Sequence, residues 1–280
     1  MIKKQYDDGK KHVHVLSYGG GTQSTALVLL ALEGKINGVI PDYIIYSDLH
    51  WEMKRVDPFI KKFNAYIKKR FNREIIIVSA DDIRQKTLDA ARNGKRLASL
   101  PFFTHNEEGE KVIVRRQCTL EYKINPVNRK VKELLGYTPR QRVKEIVHIW
   151  KGISTDEIQR VKPIVKPKYL VAEHPLVDVM WKDRSFCIKY VEDAGLGTPP
   201  SSSCVGCPFH SDEQWLEVKK NDPEGWAQAV ELDEAIRKIP KMRNETFLHR
   251  SGIPLKNVDL NENQTTINDF INECEGFCGV

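Results

Sequence analysis

No apolar run in this sequence approaches the roughly 20 residues that a helix needs to cross a bilayer, so no membrane partner is expected. The opening Met-Ile-Lys-Lys-Gln-Tyr-Asp-Asp lacks the apolar core of a signal peptide, and a cytoplasmic protein is expected. The Walker pattern is missing too, because no Gly-Lys-Ser/Thr follows the glycines near the start. No Gly-x-Gly-x-x-Gly fingerprint can be placed there either.

What is present is ordinary globular composition: 280 residues, 40% hydrophobic and 29% charged. A chain of this length can bury roughly 75% of its unfolded surface, enough for a full core. The net charge is +6, from 44 Lys and Arg against 38 Asp and Glu. Basic residues cluster at Lys68-Lys69-Arg70, Arg115-Arg116, Arg129-Lys130, 140–144 and 162–168. That balance suits a polyanion or a phosphorylated small substrate, and equally a solvated surface. Six cysteines in a cytosolic chain argue for metal or thiol chemistry rather than disulfide staples.

The chain is organised around 12–30. Residues 12–16 read as a buried strand. Three glycines, Gly19, Gly20 and Gly21, and three hydroxyl residues, Thr22, Ser24 and Thr25, follow. A helical apolar pattern then runs through Leu27, Leu30 and Ala31, with 25–33 expected to be helix. Strand, glycine turn and helix start make a phosphate site, since glycines let N–H groups crowd an anion and hydroxyls add donors. Further strands are expected at 42–48, 74–79 and 145–150, and helices at 52–71, 81–93 and 119–135. Residues 94–114 read as an inserted hairpin or lid. Helices at 213–220 and 224–239 carry Trp215 and Trp226, taken mainly as packing. Strands alternating with helices predict an α/β fold with a doubly wound, mostly parallel sheet. Residues 1–200 form the nucleotide-binding part and 201–280 a helical, cysteine-containing part packed on it. Ligands in such sheets sit at the carboxyl ends of strands, where the glycine loop and Asp48 both fall.

Ser17-Tyr-Gly-Gly-Gly-Thr-Gln-Ser-Thr25 resembles the pyrophosphatase loop (PP-loop) of the adenine nucleotide α-hydrolase superfamily. That superfamily includes ATP pyrophosphatases, tRNA thiolases and the phosphoadenylyl-sulfate reductases. Its loop reads Ser-Gly-Gly-x-Asp-Ser; here Gly19 stands at the first Ser, Gln23 at the Asp, and Ser24 is kept. The resemblance implies a PP-loop (HUP-like) sheet with ATP and Mg²⁺ held by Ser17 and Gly19 to Thr25. Asp48-Leu-His-Trp-Glu52 resembles the reductase stretch Asp-Thr-Gly-x-Glu. Lys151-Gly-Ile-Ser-Thr-Asp-Glu-Ile-Gln-Arg160 resembles Gly-Ile-Arg-x-Asp-Glu-x-x-x-Arg, which lies over the phosphates. It implies close backbone approach at Gly152, a nucleotide or metal contact at Asp156, and a bidentate phosphate contact at Arg160. The pattern's first arginine is Ser154 here. Bland alternatives are a helix cap for Asp48 and a surface ion pair for Asp156 and Arg160.

Cys118-x4-Lys-x2-Pro resembles the reductase segment Cys-Cys-x-x-x-Lys-x-x-Pro-Leu, with one cysteine in place of two. The stretch from His174 to Tyr190 resembles the Pro-Leu-x-Asp-Trp segment, and Cys204-Val-Gly-Cys207 resembles Gly-Cys-x-x-Cys. This order implies a 4Fe–4S cluster on Cys118, Cys204 and Cys207. Three thiolates would leave one iron open, as in some PP-loop tRNA thiolases. Zinc with His210 as fourth ligand and a redox-active or inert pair are the alternatives. Cys187 is either core or a fourth ligand. The tail with Cys274 and Cys278 is similar to the reductases' catalytic terminus.

Two activities follow from the resemblance. In the first, ATP adenylates a substrate such as tRNA or DNA, pyrophosphate leaves, and sulfur from the cluster or from persulfide on Cys274 or Cys278 displaces AMP. Asp48 and Arg160 serve the reaction. In the second, a C-terminal thiolate attacks the sulfur of adenylyl-sulfate or phosphoadenylyl-sulfate. A non-catalytic nucleotide-binding module is the third reading. A sulfur donor or redox partner, such as a cysteine desulfurase or thioredoxin, and a homodimer are the partners to expect.

Overall fold

In a computed structural model the described residues are 6, 8–93, 100–239 and 242–260. Five parallel strands form the central sheet in the order β3-β2-β1-β6-β7. They are β1 (His12–Tyr18), β2 (Tyr43–Asp48), β3 (Ile75–Ser79), β6 (Ile146–Lys151) and β7 (Leu170–Glu173). Strand β1 lies at the centre because Val13 to Tyr18 are buried on both faces, as a parallel strand demands. It pairs Leu16 with Ile44 on one side and Val15 with Ile149 on the other.

Apolar helices cover both faces. Helix α1 (Thr22–Leu32) is buried all round, so it is an internal helix rather than an amphipathic one. It packs against α6 (Arg184–Asp193). Helix α2 (Val56–Phe71) buries Val56, Phe59, Ile60, Phe63 and Ile67, spaced three and four apart, against the same face. The other face is covered by α4 (Asn125–Leu134), through Val127 and Val131 on Val13, Val15, Ile45 and Val147. The fold is therefore α/β with helices on both sides of a parallel sheet, as expected.

Several boundaries move. Helix α1 begins at Thr22 rather than 25, because Gly21 is extended and already serves as its N-cap. The expected helix at 52–71 begins only at Val56, since Glu52 forms a β-bridge with Cys204. Residues 119–135 split into a π-helix (Thr119–Ile124) and α4, with Pro126 in the first turn of α4. The insertion is a hairpin, β4 (Phe103–His105) and β5 (Lys111–Ile113), turning at Gly109. Between β5 and β7 there is also a 3-10 helix, Thr155–Arg160. After β7 comes α5 (Pro175–Asp178); beyond α6 come α3's partner α8 (Pro223–Ile236) and, before it, α7 (Asp212–Asn221). Helix α3 spans Ile83–Asn93. Trp215, Leu232 and Ile236 join Leu16, Ile44 and Phe63 in one core, so the described part of 201–260 continues the sheet's packing. No described helix is long and apolar enough to cross a membrane.

Candidate functional site

Strand order reverses between β1 and β6, and a crevice at the carboxyl ends of the strands belongs at such a switch point. The loop after β1 and the segment after β6 both start there. Gly20 turns the chain with φ of +80°, which a side chain rarely adopts. Gly21 then caps α1 with no side-chain bond, and no acidic residue occupies the first turn. The first N–H groups of α1 thus have neither a capping side chain nor a negative neighbour in that turn, which is what an anion needs.

The hydroxyls behave differently from expectation. Ser24 Oγ and Thr25 Oγ1 donate to the Gly21 carbonyl, at 3.2 and 2.7 Å. A hydroxyl has one proton, so neither donates to an anion in this arrangement. Thr25 also meets Tyr18 Oη at 3.2 Å. All of Ser17 to Thr25 is buried.

The second motif is welded to the first. A Cβ added at Gly152 would lie 2.6 Å from Ser24 N and 2.7 Å from Ser24 Cα. Close approach at Gly152 is therefore real, but the partner it meets is the start of α1. Gln23 Nε2 donates to Glu157 Oε2 at 3.1 Å and reaches Ser154 Oγ at 3.5 Å. The two positions that depart from the superfamily pattern, Gln23 for aspartate and Ser154 for arginine, are thus neighbours. Arg160 is ion-paired with Glu157, which is buried, so the ion pair weighed for this segment is present but is made by Glu157 rather than Asp156. Asp156 accepts the Arg184 N–H at 2.9 Å and so holds the start of α6. Asp48 accepts the His50 N–H at 2.8 Å, in a turn where His50 has φ of +57°. Asp48 thus closes a turn and caps no helix, since α2 begins only at Val56 with Arg55 as its N-cap.

The cysteines come together from distant segments. Cys118 precedes the π-helix, whose Tyr122 carbonyl accepts Ser47 Oγ from β2 at 2.6 Å. The Cys204 segment is zipped onto the stretch after β2: Met53 N–H donates to Ser203 O and Val205 N–H to Trp51 O, at 3.1 and 2.9 Å. Cys118, Cys204 and Cys207 consequently line one cavity with Arg116, Lys123 and Phe209. Burial, then Glu52, pushes the Cys204 thiol well above its usual range, with Cys207 and Cys118 adding to the rise; Lys123 opposes them. A thiol so placed becomes a thiolate only when a cation compensates it.

The donor set discriminates between candidate metals. A tetrahedral zinc with bonds of about 2.3 Å needs sulfurs about 3.8 Å apart. These three sulfurs do not all lie within 4.8 Å of one another. His210, the proposed fourth zinc ligand, turns Nε2 to Ser203 Oγ at 3.1 Å and sets its ring edge-on to Trp215. Burial holds its pKa down to about 3. Lys123 and Arg116 beside the sulfurs suit an anionic centre. The cavity is narrow, about 10 Å³, so its walls must part to admit a cluster. Cys187 is fully buried in the core and does not line this cavity. Cys274 and Cys278 lie outside the described residues.

Two residues gain importance that the sequence reading did not give them. Lys123 was legible within Cys-x4-Lys-x2-Pro but had no role; it is buried beside the sulfurs. Ser202 Oγ donates to the Gly19 carbonyl, joining the cysteine segment to the glycine loop. No protein-family model matches this chain, and no curated protein matches it. The resemblance therefore rests on its motifs and on the fold.

Proposed function

We propose that the chain is a PP-loop nucleotide enzyme that handles sulfur: it adenylates an acceptor with ATP, releases pyrophosphate and transfers sulfur to the acceptor. One observation carries this reading. Ser202 grips the glycine loop, and Cys204, two residues on, enters the three-cysteine cavity. A nucleotide site and a sulfur site thereby share one segment.

In this reading the first-turn N–H groups of α1 hold phosphate, aided by the helix dipole. Mg²⁺ would neutralise the rest, with Asp48 at the end of β2 or Asp156 as a candidate ligand. An acceptor oxygen attacks the α-phosphate and pyrophosphate leaves. Cys118, Cys204 and Cys207 would hold a 4Fe–4S cluster, which would supply the sulfide that displaces AMP from the acceptor. Lys123 and Arg116 offset its negative charge. The basic clusters favour a nucleic acid acceptor.

The segment order from Cys118 to Cys207 favours a second reading, reduction of adenylyl-sulfate or phosphoadenylyl-sulfate. One experiment separates the two. Anaerobically purified protein is given ATP with tRNA or DNA, and separately each activated sulfate with a thiol reductant. Pyrophosphate release that depends on nucleic acid supports the first reading. Sulfite release without pyrophosphate replaces it with the second, and neither product removes both.

A further inference from the structure

A second cluster of titratable groups lies toward one edge of the sheet, from the first halves of β1 and β6 to the end of β7. His12 and His14 are two apart on β1 and share a face. His14 pairs in register with His148 on β6, and Glu173 ends the neighbouring strand β7. His12, His14 and His148 are stacked, with ring centroids 5.1 Å apart for His12 and His148 and 4.6 Å for His14 and His148. Tyr6 stacks on His12 at 3.6 Å.

A row of contacts links them. Asp8 Oδ1 meets His12 Nε2 at 2.9 Å, His12 Nδ1 meets His148 Nε2 at 2.8 Å, and His148 Nδ1 meets Glu173 Oε1 at 2.8 Å. Each contact needs one proton. Two neutral imidazoles bring two, and ionised carboxylates bring none. The row is therefore short of one positive charge, and it sits where His14 and His148 are almost completely buried. A proton can supply that charge; so can a metal ion.

Three observations favour the metal. One ligand atom from each of His14, His148 and Glu173 lies within 4.8 Å of the other two, and no other such trio of His, Cys, Asp or Glu exists among the described residues. A cavity of about 290 Å³ opens onto His14 and Glu173, giving an entry path and room for a further ligand. His174, only 4% exposed, lines the same cavity with Nε2 unpartnered.

We propose that His14, His148 and Glu173 bind a divalent transition metal, with the adjoining cavity as its open side. Two imidazoles and one carboxylate select ions of the zinc, cobalt or iron(II) kind over magnesium or calcium. Three protein ligands with a cavity beyond make a site that keeps a position for water or a small anion, as catalytic metals do. Trp150 Nε1 donates to His14 Nδ1 at 3.1 Å, a bond that metal uptake at His14 must break. Metal and protons compete for the same imidazole nitrogens, so any proton on a nitrogen that takes the metal leaves to solvent.

The site is independent of the cysteines, and cobalt(II) tells them apart. Thiolate-bound cobalt shows intense sulfur-to-metal charge transfer, whereas nitrogen and oxygen ligands give only weak visible d–d bands. Chelator-treated full-length protein is titrated with cobalt(II) without oxygen, with proton release followed in weak buffer. The expected result is a binding event with d–d bands alone, accompanied by proton release. It persists in C118S/C204S. H148A and E173Q weaken it by about 100-fold or more, while their melting temperatures show that both variants fold. E173Q keeps the shape of the side chain, so it remains informative if H148A fails to fold. No such event in the wild type, or an event that E173Q leaves unchanged, overturns the proposal and leaves the row holding only a proton.

Discussion

At the scale of single residues, position on a motif and role in the structure are separable. Arg160 occupies a phosphate-binding position of the pattern, yet its guanidinium is engaged by Glu157, which Gln23 also reaches. The sequence contains all three residues but not the fact that they meet. Likewise His12, His14, His148 and Glu173 were not legible together, because they span three strands and their convergence depends on β1 lying beside β6. His210 shows what burial alone does. It is 3% exposed, and its pKa is depressed to about 3. Between about pH 6.5 and 3 the unfolded chain takes up a proton that folded His210 refuses, so its contribution is full above that window and is lost as pH falls. Stability should drop by up to about 1.4 kcal/mol per pH unit below 6.5 from this residue. Burial depresses His174 and His249 in the same direction. Urea midpoints across that range should fall less steeply for H210Q than for wild type; parallel curves would contradict this.

At the scale of elements, the strands were legible because buried parallel strands are rich in β-branched and aromatic residues, as in Tyr43–Asp48 and Ile146–Lys151. Helix starts were harder. Periodicity cannot tell that Gly21 caps α1 three residues early, nor that Glu52 pairs as a bridge with Cys204 before α2 begins. The π-helix after Cys118 was hidden for the same reason, since its hydrogen bonding follows from docking on β2. The contact between the end of β6 and the start of α1 is the tightest of these junctions. Alanine at Gly152 would press Cβ to 2.6 Å from a backbone nitrogen that has no room to yield. G152A should therefore cost about 1–3 kcal/mol, read as a lowered denaturation midpoint, and should weaken nucleotide binding by displacing Ser24. An unchanged midpoint would show that α1 and β6 are less closely joined than described.

At the scale of the whole molecule, the two proposed sites draw on separate sets of residues around one sheet. The glycine loop and the three cysteines gather at the carboxyl ends, bridged by Ser202. The histidine row runs from β1 across β6 to Glu173 at the end of β7. The two cavities share no lining residue, which lets the two sites be perturbed separately. The central claim concerns the carboxyl end: three thiols from segments far apart in sequence hold one iron–sulfur core beside a nucleotide loop. The most direct measurement is iron and acid-labile sulfide per chain in anaerobically purified protein, for the wild type and for C118S, C204S and C207S. The account predicts iron and sulfide in equal amounts in the wild type and loss of both in each variant; a wild type without sulfide, or a C118S variant that retains the full complement, would contradict it.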